Sequence, residues 1–467
     1  MISKTESICP VCLKTVPARK IKKGKDIILE RTCPEHGTFS NSIAKDAERF
    51  LDKTFDVKGQ PFQPITEFKG ECGPDCGWCD KHNQHICTGL IEITEDCNLR
   101  CPVCYFGKKA PKHITLPEFK RRLDALLTVE KGHLDVLQLS GGECLVHPKF
   151  EELLKAALKA DVNRILINTN GLALLKNEKL FALLEKHKGR VEVYLQFDGF
   201  DDNVYKALRG RPLLKEKTAL IKKLNDSEIK ICLAVTVFRD NLKEIPKILD
   251  LAVKTKHISG ITFQRLTKVG SAKDSALASV FQEDILLAIA NSKLMAYKDL
   301  IPLPCSHPNC TSLGFLFCQG DKVYSLGDYV DFTKCKSQIS NRIAFDKTIL
   351  DYMKKNVCKC FVGKILGSSF MLEKLQEFSE GDGSTHKDMK IVRIIVKNFM
   401  DLDNFDWERA RKCCTGVSVG KGRVIPFCVQ TSSREHWQGN SVTSSSVMTD
   451  QSQRMSETKN QKRLPIT

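Results

Sequence analysis

The feature that most constrains the fold is a repeat of short apolar strands separated by amphipathic helices. Helical stretches at 148–160 and 242–255 lie between strands that are apolar along their length and end in polar or glycine residues. The predicted strands are 89–94, 136–140, 164–171, 191–199, 231–238 and 260–265. Strands that alternate with helices in this way predict a parallel sheet covered by helices. Six such units favour an α/β fold, a partial (β/α)6 barrel, whose chemistry lies at the carboxyl ends of the strands.

Three cysteines follow the first predicted strand with the spacing CxxxCxxC. Cys97, Cys101 and Cys104 could hold three irons of a [4Fe-4S] cluster, which usually takes four cysteine ligands. The alternative is a structural zinc knuckle, because metal-ligand spacing alone is only suggestive. A compact triplet directly after a strand predicts that a small molecule completes the fourth iron, and S-adenosylmethionine (SAM) is the candidate.

A Gly-Gly-Glu segment follows the second predicted strand. Gly141 and Gly142 would let the backbone approach a ligand closely, and the Glu143 carboxylate suits an ammonium group. In isolation the same segment would be a tight turn between a strand and a helix. The later strands end in further polar residues, expected to contact the ribose, the methionine carboxylate or the substrate: Asn170, Gln196, Asp198, Thr236 and Gln264.

Together these motifs resemble the core domain of the radical SAM superfamily. We place this core at 88–300. The resemblance implies that Cys97, Cys101 and Cys104 bind the catalytic cluster and that Gly-Gly-Glu receives the amino group of SAM. It also implies a low-potential electron donor of the ferredoxin or flavodoxin type, and a 5′-deoxyadenosyl radical that abstracts hydrogen from carbon. The family often has an aromatic residue just before the third cysteine; here it is Val103, so Tyr105 or Phe106 is expected to contact the adenine.

A cysteine-rich module precedes the core at 1–60. Cys9, Cys12 and Cys33 flank a basic hairpin in the pattern of a zinc ribbon or a rubredoxin-like knuckle. His36 as the fourth ligand would indicate zinc, whereas a further cysteine would favour iron. The residues therefore predict one mononuclear metal site and leave the metal open.

The chain has 21 cysteines, more than these two sites use. A loop at 61–87 carries Cys72, Cys76, Cys79 and Cys87, which could hold a second cluster or a metal. A carboxyl-terminal auxiliary iron-sulfur domain is predicted at 301–430, although the order of its cysteines does not show which share a cluster. Its candidate ligands are Cys305, Cys310, Cys318, Cys335, Cys358, Cys360, Cys413, Cys414 and Cys428. Cys144 and Cys232 lie in core elements and are expected to be buried small hydrophobes.

Taken together, the cysteine motifs of 1–429 resemble the archaeal tetraether lipid synthases. The resemblance implies coupling of saturated carbons of isoprenoid diether lipid chains, three [4Fe-4S] clusters and a rubredoxin-like iron in the amino-terminal module. The runner-up is a radical SAM methyltransferase that acts on a 7,8-dihydropterin. An iron-sulfur electron carrier or a nucleic-acid-binding module would have no use for Gly-Gly-Glu and the polar strand ends.

The amino-acid composition limits the classes of partner that the protein can be expected to bind. The formal charge of +17 attracts anions, including phosphorylated molecules and anionic membrane surfaces, so peripheral membrane contact is one expectation. Basic residues interleaved with aromatics, the signature of RNA binding, are lacking, which argues against nucleic acid. No stretch approaches the ~20 apolar residues of a transmembrane helix, and we expect an anaerobic, reducing cytoplasm. Lysines at 215–223 are expected to face solvent, and the polar stretch 431–467 is predicted to be a disordered tail.

Overall fold

The computed structural model describes residues 1–67, 72, 77–107, 110–273, 275–334, 336–342 and 389–434. Their strands form two sheets, one of four strands and one of twelve. The small sheet belongs to the amino-terminal module, and the large sheet contains the barrel.

The small sheet is antiparallel, with the strand order β1-β2-β3-β4. Its elements are β1 (Ser3–Ile8), β2 (Thr15–Lys23), β3 (Asp26–Cys33) and β4 (Gly37–Ala44), followed by α1 (Ala47–Leu51). Ile27 and Leu29 of β3 are fully buried and form the centre of a small core of their own. The β3–β4 turn and the β1–β2 turn lie at one edge, which brings Cys33 and His36 towards Cys9 and Cys12.

Six consecutive parallel strands form the centre of the large sheet, as the sequence predicted. They are β5 (Thr88–Thr94), β6 (Leu134–Gly141), β7 (Val162–Thr169), β8 (Val191–Gln196), β9 (Ile231–Val237) and β10 (Ile258–Arg265). Each strand pairs in parallel with the next one along the chain. The predicted α/β fold with a partial (β/α)6 barrel is therefore confirmed.

Helices cover the outer face of these strands. They are α2 (Leu116–Val129), α3 (Phe150–Lys159), α4 (Leu172–Lys176), α5 (Glu178–Lys186), α6 (Asp202–Arg209), α7 (Leu214–Asp226), α8 (Ile245–Lys254) and α9 (Gln282–Ala290). Short 3₁₀ helices occur at Cys144–Val146, Arg239–Glu244, Gly270–Ala272, Tyr297–Asp299 and Leu326–Asp328. Leu126, Leu154 and Ile248 are fully buried against the sheet. Burial of each such side chain contributes roughly 1.5–3 kcal/mol to the free energy of folding, so packing of the helices stabilises the sheet.

The strands after residue 300 extend the same sheet at both edges. They are β11 (Ile301–Pro302), β12 (Thr311–Gln319), β13 (Lys322–Ser325), β14 (Met389–Lys397), β15 (Thr415–Gly420) and β16 (Arg423–Pro426), with helices α10 (Lys336–Ile339), α11 (Trp407–Arg411) and α12 (Phe427–Ser432). β14 pairs in parallel with β10, and β15 pairs in parallel with β5. The chain between β14 and β15 therefore runs from one edge of the barrel to the other. The predicted domain boundaries stay predictions, but the residues after 300 share a sheet with the core.

The structure corrects the predicted start of the carboxyl-terminal disordered tail. The tail was predicted to be disordered from residue 431, yet Thr431 and Arg434 are buried. Arg434 forms an ion pair with Glu92 of β5, which offsets part of the cost of ordering the chain there. Residues 435–467 lie outside the described part of the chain.

Among the residues that the structure describes, none of the helices has both the length and the apolar character that crossing a bilayer requires.

Candidate functional site

The cysteine triplet lies in the loop that leaves β5 at the carboxyl end of the barrel. Cys97, Cys101 and Cys104 are all half-buried, and all three line a cavity of about 280 Å³ inside the barrel. Three cysteines that line one cavity can each bind a different iron of a cluster.

The Gly-Gly-Glu segment packs directly against the start of the cysteine loop. Gly141 has a φ of +130°, and a Cβ there would lie 2.1 Å from the Thr94 carbonyl oxygen. A Cβ on Gly142 would lie 2.1 Å from the Asp96 carbonyl oxygen. The Gly142 amide donates to the Thr94 oxygen at 2.8 Å. The sequence predicts that these glycines make room for a ligand, and both line the cavity. In the structure they also permit the close approach of the cysteine loop, and their contact with SAM stays a prediction.

Glu143 connects the ends of two neighbouring strands. Its carboxylate accepts hydrogen bonds from the Thr169 hydroxyl and the Asn170 backbone amide, both at 2.7 Å, and from the Leu145 backbone amide at 3.2 Å. The side chain lines the cavity although it is only 1 % exposed, and burial raises its pKa. Contact of the Glu143 carboxylate with the ammonium group of SAM stays a prediction. In the structure, the hydrogen bonds of Glu143 link the end of β6 to the end of β7.

Four of the five polar residues at the later strand ends line the same cavity: Asn170, Gln196, Thr236 and Gln264. The Asn170 side-chain amide donates to the Asn98 side-chain oxygen in the cysteine loop at 2.6 Å, which links the end of β7 to the cluster site. Asp198 differs, because it is fully buried behind the cavity wall and does not line the cavity. In the structure it contacts the neighbouring Arg209, and direct contact of Asp198 with a ligand stays a prediction.

Arg209 is not among the residues predicted from the sequence. Its Nε and Nη2 atoms donate to the two Asp198 oxygens at 2.7 Å each, and Nη2 also donates to the Thr236 hydroxyl at 2.9 Å. The guanidinium lines the cavity and lies close to Cys101. Burial alone would lower the pKa of Arg209, but the Asp198 charge outweighs burial and raises it. Arg209 lies at the end of α6, one helix after β8, and no local motif marks it.

Lys217 corrects the expectation that lysines at 215–223 face solvent. It is 1 % exposed and points from α7 towards the strand ends. Its ammonium group donates to the Gln196 side-chain oxygen at 2.7 Å and to the Asn170 carbonyl oxygen at 2.5 Å. Burial lowers its pKa to about 7. The Lys217 amine therefore links the ends of β7 and β8.

Tyr105 lines the cavity directly after Cys104, as the sequence analysis expected of an adenine contact. Its hydroxyl lies 3.4 Å from the Ser140 hydroxyl at the end of β6. Val103, the residue at the usual aromatic position, also lines the cavity and packs with Leu208 and Phe238. Contact of Tyr105 with adenine stays a prediction.

The amino-terminal module brings four ligand atoms together. Those of Cys9, Cys12, Cys33 and His36 all lie within 4.8 Å of one another. The His36 Nδ1 atom is 3.5 Å from the Cys33 sulfur and 3.8 Å from the Cys9 sulfur. Three thiols and one imidazole are a common donor set for structural zinc, whereas a rubredoxin-like iron takes four thiolates. The donor set therefore fits zinc.

The cysteines predicted as auxiliary ligands form separate groups in the structure. The sulfur atoms of Cys87, Cys305 and Cys414 form a buried group within 4.8 Å, and those of Cys87 and Cys305 are in direct contact. The Arg409 Nε atom donates to the Cys310 sulfur at 3.4 Å, close to Cys413 and Cys428.

The remaining predicted ligands are more scattered. Cys72 accepts a hydrogen bond from the Arg411 Nε atom at 3.1 Å, and Cys79 is buried. Cys318 packs inside the main apolar core, apart from the thiol groups above. Cys144 and Cys232 are buried, as expected. Four predicted ligands lie outside the described residues: Cys76, Cys335, Cys358 and Cys360.

These features define the class of protein. Residues 91–252 match the radical SAM superfamily, and residues 1–45 match the HMPTM N-terminal zinc ribbon domain. The chain therefore contains a radical SAM core and a zinc ribbon, and it is a radical SAM enzyme.

One relative spans nearly the whole chain. A 7,8-dihydro-6-hydroxymethylpterin dimethyltransferase from Methanocaldococcus jannaschii is 27% identical over 92% of this chain and 93% of its own. The subtilosin biosynthesis protein AlbA from Bacillus subtilis is 29% identical over 46% of this chain and 47% of its own. A crystal structure of SuiB from Streptococcus suis with bound S-adenosylmethionine has 16% identity and a TM-score of 0.39, covering 45% of this chain and 47% of that one.

Proposed function

We propose that this radical SAM enzyme transfers a methyl group to a 7,8-dihydropterin or a closely similar polar heterocycle. The observation that carries the proposal is the polar floor of the barrel cavity. Arg164, Glu192 and Arg393 line the cavity together, at the end opposite the cysteine loop. The near full-length similarity to a dimethyltransferase named for such a pterin supports the same substrate class.

Glu192 stands at the centre of this floor. Its carboxylate accepts hydrogen bonds from the Arg164 Nη1 and Arg393 Nη2 atoms, each at 2.8 Å. Burial alone would raise the pKa of Glu192, but the charges of Arg393 and Arg164 outweigh burial and lower it to about 2. The floor thus presents one carboxylate and two guanidinium groups at neutral pH, and the Tyr194 side chain lies on the same face of β8 as Glu192.

This lining separates the two candidate substrates. A saturated isoprenoid chain would cover the exposed parts of the Arg164 and Arg393 guanidinium groups without offering any hydrogen bond in return, which is costly for charged groups. A pterin has amide and amino groups along its edge that can both donate and accept. The lining therefore favours the heterocycle. Coupling of tetraether lipid chains, the first reading of the sequence, has no support in the relatives, and neither has a lipid or membrane partner.

The residues have distinct roles in this proposal. Cys97, Cys101 and Cys104 would hold the cluster, which together with SAM supplies a carbon-based radical that abstracts hydrogen from the substrate. Arg209, fixed by Asp198, presents a cation at the cavity wall next to Cys101. Enclosure of the cavity by the barrel excludes water from the reacting atoms. A low-potential electron donor is required as the partner.

The other thiol sites would hold further metal. The donor set of the amino-terminal module supports zinc bound by Cys9, Cys12, Cys33 and His36. The buried group of Cys87, Cys305 and Cys414 supports an auxiliary iron-sulfur site, which uses cysteines from both sides of the core sequence.

Anaerobic turnover tests the substrate. Reconstituted enzyme would be incubated with SAM, a low-potential reductant and 7,8-dihydro-6-hydroxymethylpterin, and the products analysed by mass spectrometry. We expect 5′-deoxyadenosine together with a pterin heavier by one or two methylene units, and one S-adenosylhomocysteine for each methyl group that SAM supplies. Diether phospholipids offered under the same conditions should be unchanged, and their coupling without any pterin product would overturn the proposal.

The Glu192→Gln variant refines this test. The change removes the charge at the cavity floor but leaves the cysteine loop untouched. Because it also removes the charge partner of Arg164 and Arg393, it should lower stability, so the assay uses folded, metal-loaded protein. There, KM for the pterin should rise about tenfold while cleavage of SAM without substrate is retained. Glu178→Gln, which changes an exposed glutamate on α5, is the matched control. Equal KM values for both variants would show that the pterin does not bind the floor.

A further inference from the structure

The cysteine loop is held from outside the core domain by the last described residue of the chain. Arg434 follows α12 and is 8 % exposed. Its Nη1 atom donates to a Glu92 carboxylate oxygen at 3.1 Å, its Nη2 atom contacts the other Glu92 oxygen, and Nη2 also donates to the Gln430 side chain at 2.8 Å. One guanidinium therefore ties α12 to β5, the strand that leads into the cysteine loop.

The face of the same guanidinium lies over the residues after the third cluster cysteine. The Arg434 Cζ atom is 4.2 Å from the centre of the Phe106 ring and 5.7 Å from that of Tyr105. A cation over an aromatic ring is stabilising, most of all when water is excluded. Because Cys104 directly precedes these two rings, their position fixes the carboxyl end of the cysteine loop.

Aromatic contacts extend the same arrangement across the cavity. The Tyr105 ring lies 5.9 Å from Phe427 at the start of α12, and Phe427 lies 4.8 Å from Phe399 beyond the end of β14. Phe427 and Phe399 both line the cavity. The carboxyl-terminal helix is therefore part of the wall that faces the cluster site.

We propose that Arg434 is a positioning residue for the SAM site: it clamps Tyr105 and Phe106 and so holds Cys104 and the adjoining cavity wall in the arrangement that binds SAM. Arginine suits this task because its planar group can form a fork with a carboxylate and stack on a ring at once. A lysine can keep the charge but not both contacts. The inference depends on the radical SAM class and not on the proposed pterin substrate.

The test uses full-length, reconstituted Arg434→Gln and Arg434→Lys variants. In Arg434→Gln, we expect amide hydrogen exchange at residues 105–107 to be about tenfold faster and KM for SAM to rise about tenfold, with kcat for 5′-deoxyadenosine formation changed less. Arg434→Lys should fall between this variant and the wild type in both measurements. Exchange in β7 to β10 should stay at the wild-type level, because Arg434 does not contact those strands.

A second variant and a control keep the test decisive. Glu92→Gln leaves the guanidinium and both rings in place while removing the charge partner, so it should produce a milder form of the same two changes. Arg121→Gln removes an arginine from the exposed face of α2 and should change neither. If loop exchange and KM for SAM are at wild-type values in both Arg434→Gln and Glu92→Gln, Arg434 does not position the site.

Discussion

Arg209 and Asp198 form a two-pronged ion pair behind the cavity wall, with both N–O distances at 2.7 Å. Asp198 has no exposed surface, and the Arg209 side chain is 12% exposed. The pair brings a cation next to Cys101, and it depends on a carboxylate that does not itself reach the cavity. Asp198, which the sequence predicts as a ligand contact, thus supports Arg209, which is not predicted from the sequence.

Asp198→Asn should therefore be strongly destabilising. It leaves the buried Arg209 charge without its partner, and breaking such a pair costs about 3–5 kcal/mol. Denaturant unfolding of the metal-loaded protein measures this change. Asp226→Asn, which breaks an exposed pair with Lys222, is the matched control and should leave the midpoint unchanged. A similar midpoint for both variants would contradict the structural role of the pair.

Cys101→Ala should reduce cleavage of SAM to the background level, because two thiolates do not hold the cluster in the cavity. The zinc ribbon is a separate sheet, so the variant should keep its zinc and its fold. Formation of 5′-deoxyadenosine under anaerobic conditions is the measurement. Cys144→Ala, which removes a buried thiol outside the predicted ligand set, should retain activity. Substantial activity in Cys101→Ala would exclude the triplet as the cluster site.

His36→Ala should lose the zinc of the amino-terminal module. The donor set shrinks from four groups to three, and structural zinc sites are almost always tetrahedral. Metal analysis should show about one zinc per chain in the wild type, much less in His36→Ala, and recovery in His36→Cys, which supplies a fourth thiol. His133→Ala, a change at an exposed histidine, is the control. Full zinc occupancy in His36→Ala would mean that the imidazole is not a ligand.

Cys414→Ala should lower the iron content while Cys318→Ala should not. Cys414 belongs to the buried group of three thiols, whereas Cys318 packs in the apolar core. A [4Fe-4S] cluster at the thiol group would account for about four irons per chain. Iron analysis after anaerobic reconstitution compares the two variants directly. The same iron content in both would leave Cys414 without a role as ligand.

Lys217 should make stability rise with pH from neutral to mildly alkaline conditions. Burial lowers its pKa from 10.5 to about 7 in the folded protein, so between these values the unfolded chain binds a proton that the folded chain does not. The free energy of unfolding should then increase by up to about 1.4 kcal/mol per pH unit, relative to a variant that lacks the amine.

Lys217→Met supplies that reference. Unfolding of both proteins at pH 7, 8 and 9 isolates the contribution of this amine, because other titrating groups are common to both. Lys222→Met, at an exposed position on the same helix, should follow the wild-type dependence. If the wild type and Lys217→Met gain stability equally over this range, Lys217 is not buried as a titrating amine.

The sequence alone determined the parallel barrel, the cysteine triplet and the three cysteines of the amino-terminal module, but it left the fourth ligand of that module open. Each of these rests on residues close together in the chain. Alternation of apolar strands with helices predicts β5 to β10, and the spacing of Cys97, Cys101 and Cys104 within one loop requires no long-range contact. The polar ends of parallel strands meet at one edge of a sheet, so Asn170 and Gln264 could be assigned to one cavity in advance.

Only the tertiary structure decided what depends on contacts between distant residues. Cys87 meets Cys414 because β5 and β15 are parallel neighbours, and nothing in the order of the cysteines shows that pairing. Lys217 looks like a solvent-facing lysine until α7 packs over the strand ends. Arg434 lies at the start of a polar stretch, and it is ordered because Glu92, far away in sequence, supplies the opposite charge inside the fold. Local patterns encode helices, strands and compact ligand sets, whereas burial and charge pairing across the chain are fixed only when the whole fold forms.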